Sequence, residues 1–150
     1  MNTLLAAGGG FLVAVLWMDL MFDVLSFGAG AGNDLPEEAL ARIAAYYRRV
    51  TTEASPMNYA ISAVMAAMVA TLGVEIARGG PGRTLSIVSL ALCGVPISLA
   101  LTRIFPNAIR LGARKDPARE QSRLARSICR DHLACLAAML AYLGTRWLAS

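Results

Sequence analysis

Two aspartates, Asp19 and Asp23, sit four residues apart inside an otherwise apolar stretch that begins at Leu4. At helical spacing they share one face, so both carboxylates can turn toward the same neighbour. A carboxylate in an apolar setting needs a cation, hydrogen-bond donors or a proton, and the chain offers few candidates. Arg103, Arg130 and His132, the only histidine, each lie at the edge of another apolar stretch. A cluster of this kind has three uses: an ion-pair clasp between helices, a site for a ligand with a polar head and an apolar body, or a metal centre. The two-carboxylate, one-imidazole set is conceivable for a metal but its spacing is unspecific, and neither a metal nor an organic cofactor is expected.

For the ligand reading, His132 or Asp23 is the base that takes a phenolic or carbon-acid proton, with Arg103 stabilising the resulting anion. Asn58 and Asn107 orient ring oxygens, Asp19 belongs to the same ligand site, and Trp17, Tyr59 and Phe105 supply aromatic walls. No phosphate-cradling glycine loop follows a strand, and no Ser or Cys nucleophile has a base at a recognisable spacing. The three cysteines, Cys93, Cys129 and Cys135, read as small apolar residues, without disulfide or metal spacing.

The elements that carry these residues follow from composition. Of the 150 residues 57% are hydrophobic and 16% charged, with a mean hydropathy of +0.55. Such a chain is too apolar for a soluble monomer, and its apolar residues are gathered into runs rather than spread at the period of a soluble core. We expect one membrane domain over residues 1–150, an all-α four-helix transmembrane bundle with spans near 4–27, 56–77, 84–104 and 128–148. The third run, between Arg83 and Arg103, is just long enough for a hydrocarbon core of about 30 Å. The fourth is short, since only Leu133 to Thr145 separates His132 from Arg146, so a charge must lie at or within its boundary. Pro96 is expected to kink the third helix.

Between the first two spans, Leu40, Ile43, Ala44 and Tyr47 recur at i, i+3, i+4 and i+7, which predicts an amphipathic cytoplasmic helix on the membrane surface or over the bundle. Asp34 and Glu37 have the spacing of a capping box. Asp116 and Pro117 mark the start of a last helix that runs unbroken to the C-terminus. Small residues four apart, Ala63 with Ala67, Ala66 with Ala70 and Ala134 with Ala138, predict close helix approach.

Net charge is +4, yet the basic residues flank apolar runs, which argues against nucleic acid. Arg42 to Arg49 holds three of them and Arg103 to Arg130 holds eight, against Arg78, Arg83 and Arg146 elsewhere. Basic loops stay inside, so both long connections are expected in the cytoplasm and both termini in the periplasm of a bacterial inner membrane. The small residues Gly28 to Gly32 resemble a signal cleavage site, but retention of the first helix is the better expectation. Arg119, Arg123, Arg126 and Arg130 form one stripe of the last helix and are expected to hold anionic lipid headgroups. If the first helix enters from the outside, Asp19, Asp23, Asn58, Arg103 and His132 all reach the inner end of the bundle.

Phe105-Pro106-Asn107 after the third apolar run, then Leu111, Asp116, and a basic helix with Arg126 and His132 entering the fourth, give the layout of residues 35–148 a known look. It resembles the anthrone-oxygenase-like family of small four-helix membrane proteins. The resemblance implies a cofactor-independent oxidoreductase acting with O₂ on a lipophilic aromatic. By position, Asn107 matches that family's Pro-Asn element and His132 its polar residue opening the fourth helix. The chain departs from the pattern at Cys135, where the family often has Arg, and in its Asp19 and Asp23 pair. The expected function is therefore binding, with oxidation, of a lipophilic aromatic or quinone-like molecule. The alternative is a non-catalytic accessory subunit of a respiratory or photosynthetic membrane complex, with other membrane subunits or a second copy as partners.

Overall fold

The computed structural model describes residues 3–27, 34–53 and 55–148, with the side chains of 55 and 56 excepted, and every regular element among them is a helix. The cleavage-like Gly28 to Gly32 segment and both extreme termini lie outside the described residues. Helix α1 spans Thr3–Asp23 and tightens into a 3₁₀ turn at Val24–Phe27; α2 spans Glu37–Thr52, α3 Ser55–Arg78 and α4 Arg83–Leu99. A π-helical turn at Ala100–Ile104 joins α4 to α5, Phe105–Ala113, and α6 runs over Ala118–Leu148.

Three stretches are long and apolar enough to cross a membrane: Thr3–Phe27, Met57–Arg78 and Arg83–Ala113. The third differs from the expected span, because Phe105-Pro106-Asn107 does not end it. Pro106 has no N–H for the preceding turn, and widening that turn accommodates the ring; the Phe105 N–H reaches back five residues to Ala100 O. The π-helical irregularity thus sits at Ala100–Ile104, one turn beyond Pro96, which lies within α4. Helix α6 is unbroken, as expected, but it does not reach the same apolarity, because its first half carries the Arg stripe, Asp131 and His132.

Helix α6 packs against both α1 and α4, and α3 packs against both α4 and α1, closing a ring in which α1 and α4 are diagonal and their backbones do not approach closely. One core fills this ring, with Leu5 and Leu12 of α1 meeting Met68 and Leu72 of α3, Cys93 of α4, and Met139 and Tyr142 of α6. The close approaches use glycines rather than the expected alanine pairs. A Cβ on Gly8 would lie 2.7 Å from Met68 Sδ, and one on Gly9 2.7 Å from Leu143 Cδ2. Ala63, Ala66, Ala70 and Ala134 face outward.

A second core lies beyond one end of the ring. Leu40, Ile43 and Tyr47 of α2 pack on Ala108 and Leu111 of α5 and on Leu124, Ala125 and Ile128 of α6. The buried face of α2 is therefore the one its periodicity predicts, and it covers the bundle. Its first turn is not closed by a capping box: Pro36 O accepts the Leu40 N–H at 3.1 Å, and the Glu37 side chain pairs with Arg114 instead. Likewise Pro117, not Asp116, takes the cap position of α6, its carbonyl accepting the Gln121 N–H at 3.0 Å. Where α2 crosses α5, the absent side chain of Gly112 is essential, since a Cβ there would lie 2.9 Å from Arg48 N.

At the opposite end, Arg146 is buried and its Nη1 lies 3.2 Å from Glu75 Oε2, which also accepts the Ser86 hydroxyl at 2.6 Å. The charge expected inside the short fourth apolar run is thus neutralised by α3.

Candidate functional site

Where α1 ends beneath α2, both aspartates of α1 turn inward. Asp23 is buried to 1% exposure and is engaged on both oxygens. The Tyr47 hydroxyl donates to Oδ1, and His132 Nδ1 lies 2.6 Å from Oδ2. Asp19, one turn earlier, accepts the Tyr46 hydroxyl and places Oδ2 3.9 Å from His132 Nε2. Tyr46 also stacks on Phe22, with ring centroids 4.0 Å apart. With Asp23 ionised, Nδ1–H of His132 is the donor in that pair, which leaves Nε2 facing the Asp19 side as the nitrogen able to accept a proton.

The tyrosines are fixed as donors by their surroundings. Burial, followed by the charge and hydrogen bond of Asp23, pushes the Tyr47 phenol well above its ordinary value. Burial and Asp19 do the same to Tyr46.

Asp19, Tyr47 and His132 form one wall of a cavity of about 170 Å³ between α1, α2, α3, α4 and α6. Asn58 and Thr51 add two more polar side chains, and Leu12, Met65, Phe105 and Met139 are among the apolar ones. Asn58 is held by its own amide, which donates to Val50 O at 3.0 Å across the α2–α3 connection. The arrangement is a carboxylate-oriented imidazole at the edge of an apolar chamber, with hydroxyl and amide groups beside it.

Of the residues expected to meet here, Asp19, Asp23, Asn58 and His132 do. Arg103 does not: its Nε lies 3.1 Å from Asp131 Oδ2, and its guanidinium reaches Ser127 on the outer side of α6. The reason is angular, since consecutive helical residues point about 100° apart, so Asp131 turns to the π-helical segment while His132 turns to α1. Trp17 and Tyr59 face outward, at 64% and 75% exposure, and are not among the residues lining this cavity. Phe105 does line the cavity. Asn107, half-buried in α5, is not among its lining residues.

The arginine stripe is a stripe: Arg119, Arg123, Arg126 and Arg130 line one surface groove together with Arg103, Asp34 and Glu120. Glu120 takes two bonds from Arg123, at 2.8 and 2.6 Å, and these hold its carboxyl below the ordinary range.

Tyr46 and Tyr47 are the members that sequence reasoning missed, as it also missed Asp131 as the partner of Arg103. In the sequence Tyr47 reads only as part of an apolar face. The available signal was the Tyr46-Tyr47 pair itself, two donors on the one amphipathic helix long enough to lie over a pair of carboxylates. Among the described residues, no three His, Cys, Asp or Glu side chains are grouped as metal ligands would be.

Fold and site together define an all-helical protein, three of whose apolar stretches are of membrane length, with a buried Asp-His-Tyr cluster at the edge of an apolar cavity. No protein-family model, curated protein or solved structure matches the chain.

Proposed function

We propose that the chain is a four-helix integral protein of a bacterial inner membrane that binds a lipophilic aromatic or quinone-like molecule in the cavity beside His132. The spans are α1, α3, α4 with its π-helical extension, and the second half of α6, whose Arg146 is matched by Glu75. The excess of Lys and Arg on the α2 and α5–α6 connections assigns that end to the cytoplasm and the termini to the periplasm.

The single observation that carries the reading is the Asp23–His132 pair, 2.6 Å apart and buried, bordering a chamber otherwise mostly apolar. An apolar pocket with a few convergent polar groups suits a flat apolar body with one polar edge. His132 accepts a phenolic or carbon-acid proton at Nε2, and the Asp23 carboxylate stabilises the imidazolium that forms. Asn58 meets the ring oxygen. Arg103, turned away to Asp131, has no part in this scheme. Loss of that proton from an electron-rich aromatic leaves a delocalised anion of the kind O₂ oxidises, which is the step the anthrone-oxygenase resemblance implies.

The test is native purification of the wild-type protein and of His132→Ala, followed by solvent extraction and mass spectrometry. The expected result is an aromatic molecule recovered from the wild type and depleted from a folded His132→Ala protein. Recovery with a large complex and without a small molecule would overturn the reading in favour of an accessory subunit.

A further inference from the structure

The cavity has a neighbour. A groove of about 580 Å³ runs along the outside of the α3–α4 contact, and five residues, Asn58, Ile61, Met65, Ala100 and Phe105, line both spaces. Beyond that shared wall the groove continues past Ala66 to Val69 on α3 and is apolar except for Ser62. From Asn58 to Val69 it covers about 16 Å at helical rise. The π-helical turn matters here, because it presents Ala100 to both spaces and Leu101 to the groove alone. Widened helical turns of this kind re-aim side chains at ligand sites.

Size separates the two spaces chemically. An enclosed cavity of about 150 Å³ holds one benzene-sized ring, so about 170 Å³ beside His132 suits a single substituted ring better than a fused tricycle. The five shared residues are all that separates this cavity from the apolar groove, which lies along two membrane-length helices and offers the nearest place for whatever else the molecule carries.

Resting on the binding reading above, we infer that the occupant is a single-ring phenol or quinone bearing a flexible apolar tail. The ring lies against Asp19, Asn58 and His132, the tail lies along α3 and α4, and the molecule arrives sideways from the bilayer between these helices.

Three probes test this with the full-length protein in lipid nanodiscs: a decyl-substituted benzoquinone, the same benzoquinone with methyl in place of decyl, and anthrone. Occupancy is measured at equilibrium against each probe's concentration in the lipid, so that partitioning does not count as binding. The decyl probe should bind at least about tenfold more tightly than the other two. Ala66→Trp, at an outward position that fills the groove, should remove that advantage and leave the methyl probe unchanged. His132→Ala should weaken both quinones. Equal binding of decyl and methyl probes, tighter binding of anthrone, or indifference to Ala66→Trp would overturn the tailed-ring assignment while leaving the binding reading intact. Failure of all three probes to bind would overturn both.

Discussion

Asp131 and His132 adjoin in sequence and serve different helices: His132 Nδ1 lies 2.6 Å from Asp23 of α1, while Asp131 Oδ2 lies 3.1 Å from Arg103 Nε on the far side of α6. Because α1 and α4 are diagonal in the ring and α6 packs against both, α6 can hand one polar group to each. The two pairs should therefore separate by mutation. Arg103→Ala leaves the nearly buried Asp131 without its cation and should destabilise the fold by about 2–3 kcal/mol. Asp131→Asn should cost less, since the half-exposed Arg103 can turn to water. If the proposed ligand is bound beside His132, both proteins should retain it. Denaturant unfolding in detergent and the extracted ligand give the two readouts, and loss of ligand in a folded Arg103→Ala protein would restore Arg103 to the site.

The two tyrosines should differ in weight. Tyr47→Phe removes a donor from a fully buried carboxylate and should cost about 1.5–3 kcal/mol. Tyr46→Phe keeps the stacking on Phe22 and acts on the less buried Asp19, so its cost should stay below about 1 kcal/mol. Unfolding free energies of the single and double variants rank them.

The raised Tyr47 phenol also predicts a pH dependence. The folded protein keeps this proton to a higher pH than the unfolded chain, whose tyrosines ionise near 10. Its contribution to stability is complete below that value and is lost as pH rises from there toward the folded-state value. Stability should fall more steeply above pH 10 in the wild type than in Tyr47→Phe. Equal slopes in unfolding experiments across this range would remove Tyr47 as the source.

Gly112 sets the distance between α2 and α5. A methyl group there would press on the Arg48 backbone, which cannot move without lifting α2, so Gly112→Ala should destabilise by about 1–3 kcal/mol. Protease cleavage within α2 should rise in parallel. An unchanged melting temperature would show that the crossing has slack.

At the other end, Arg146→Leu removes the guanidinium from the partly exposed Glu75, which keeps the Ser86 hydroxyl, and should cost about 1–2 kcal/mol. Adding Glu75→Leu should recover most of that loss, because two apolar side chains replace a matched pair. A double-mutant cycle in unfolding free energy measures the coupling.

Much of this architecture is legible in the chain itself. The three membrane-length stretches follow from runs of uncharged residues around Leu4 to Phe27, Met57 to Arg78 and Arg83 onward. The buried face of α2 follows from Leu40, Ile43, Ala44 and Tyr47, because a 3.6-residue period has only one way to turn its apolar side inward. That Asp19 and Asp23 share a face and need partners follows from their four-residue spacing and apolar neighbours. The same patterns misplace the capping of α2, where Arg114 draws Glu37 away from the role that Asp34 would share with it.

Partner choice is another matter. Local spacing puts Asp23, His132, Asp131 and Arg103 at comparable depth and is indifferent to which pairs form. The ring order of the helices decides that, by putting α6 between α1 and α4 and laying Tyr46 and Tyr47 over the end of α1. That Ala100 borders both the cavity and the α3–α4 groove depends likewise on the widened turn at Ala100–Ile104. Depth is a one-dimensional property that hydropathy along the chain carries; azimuth around each helix axis is settled only when neighbours are in place.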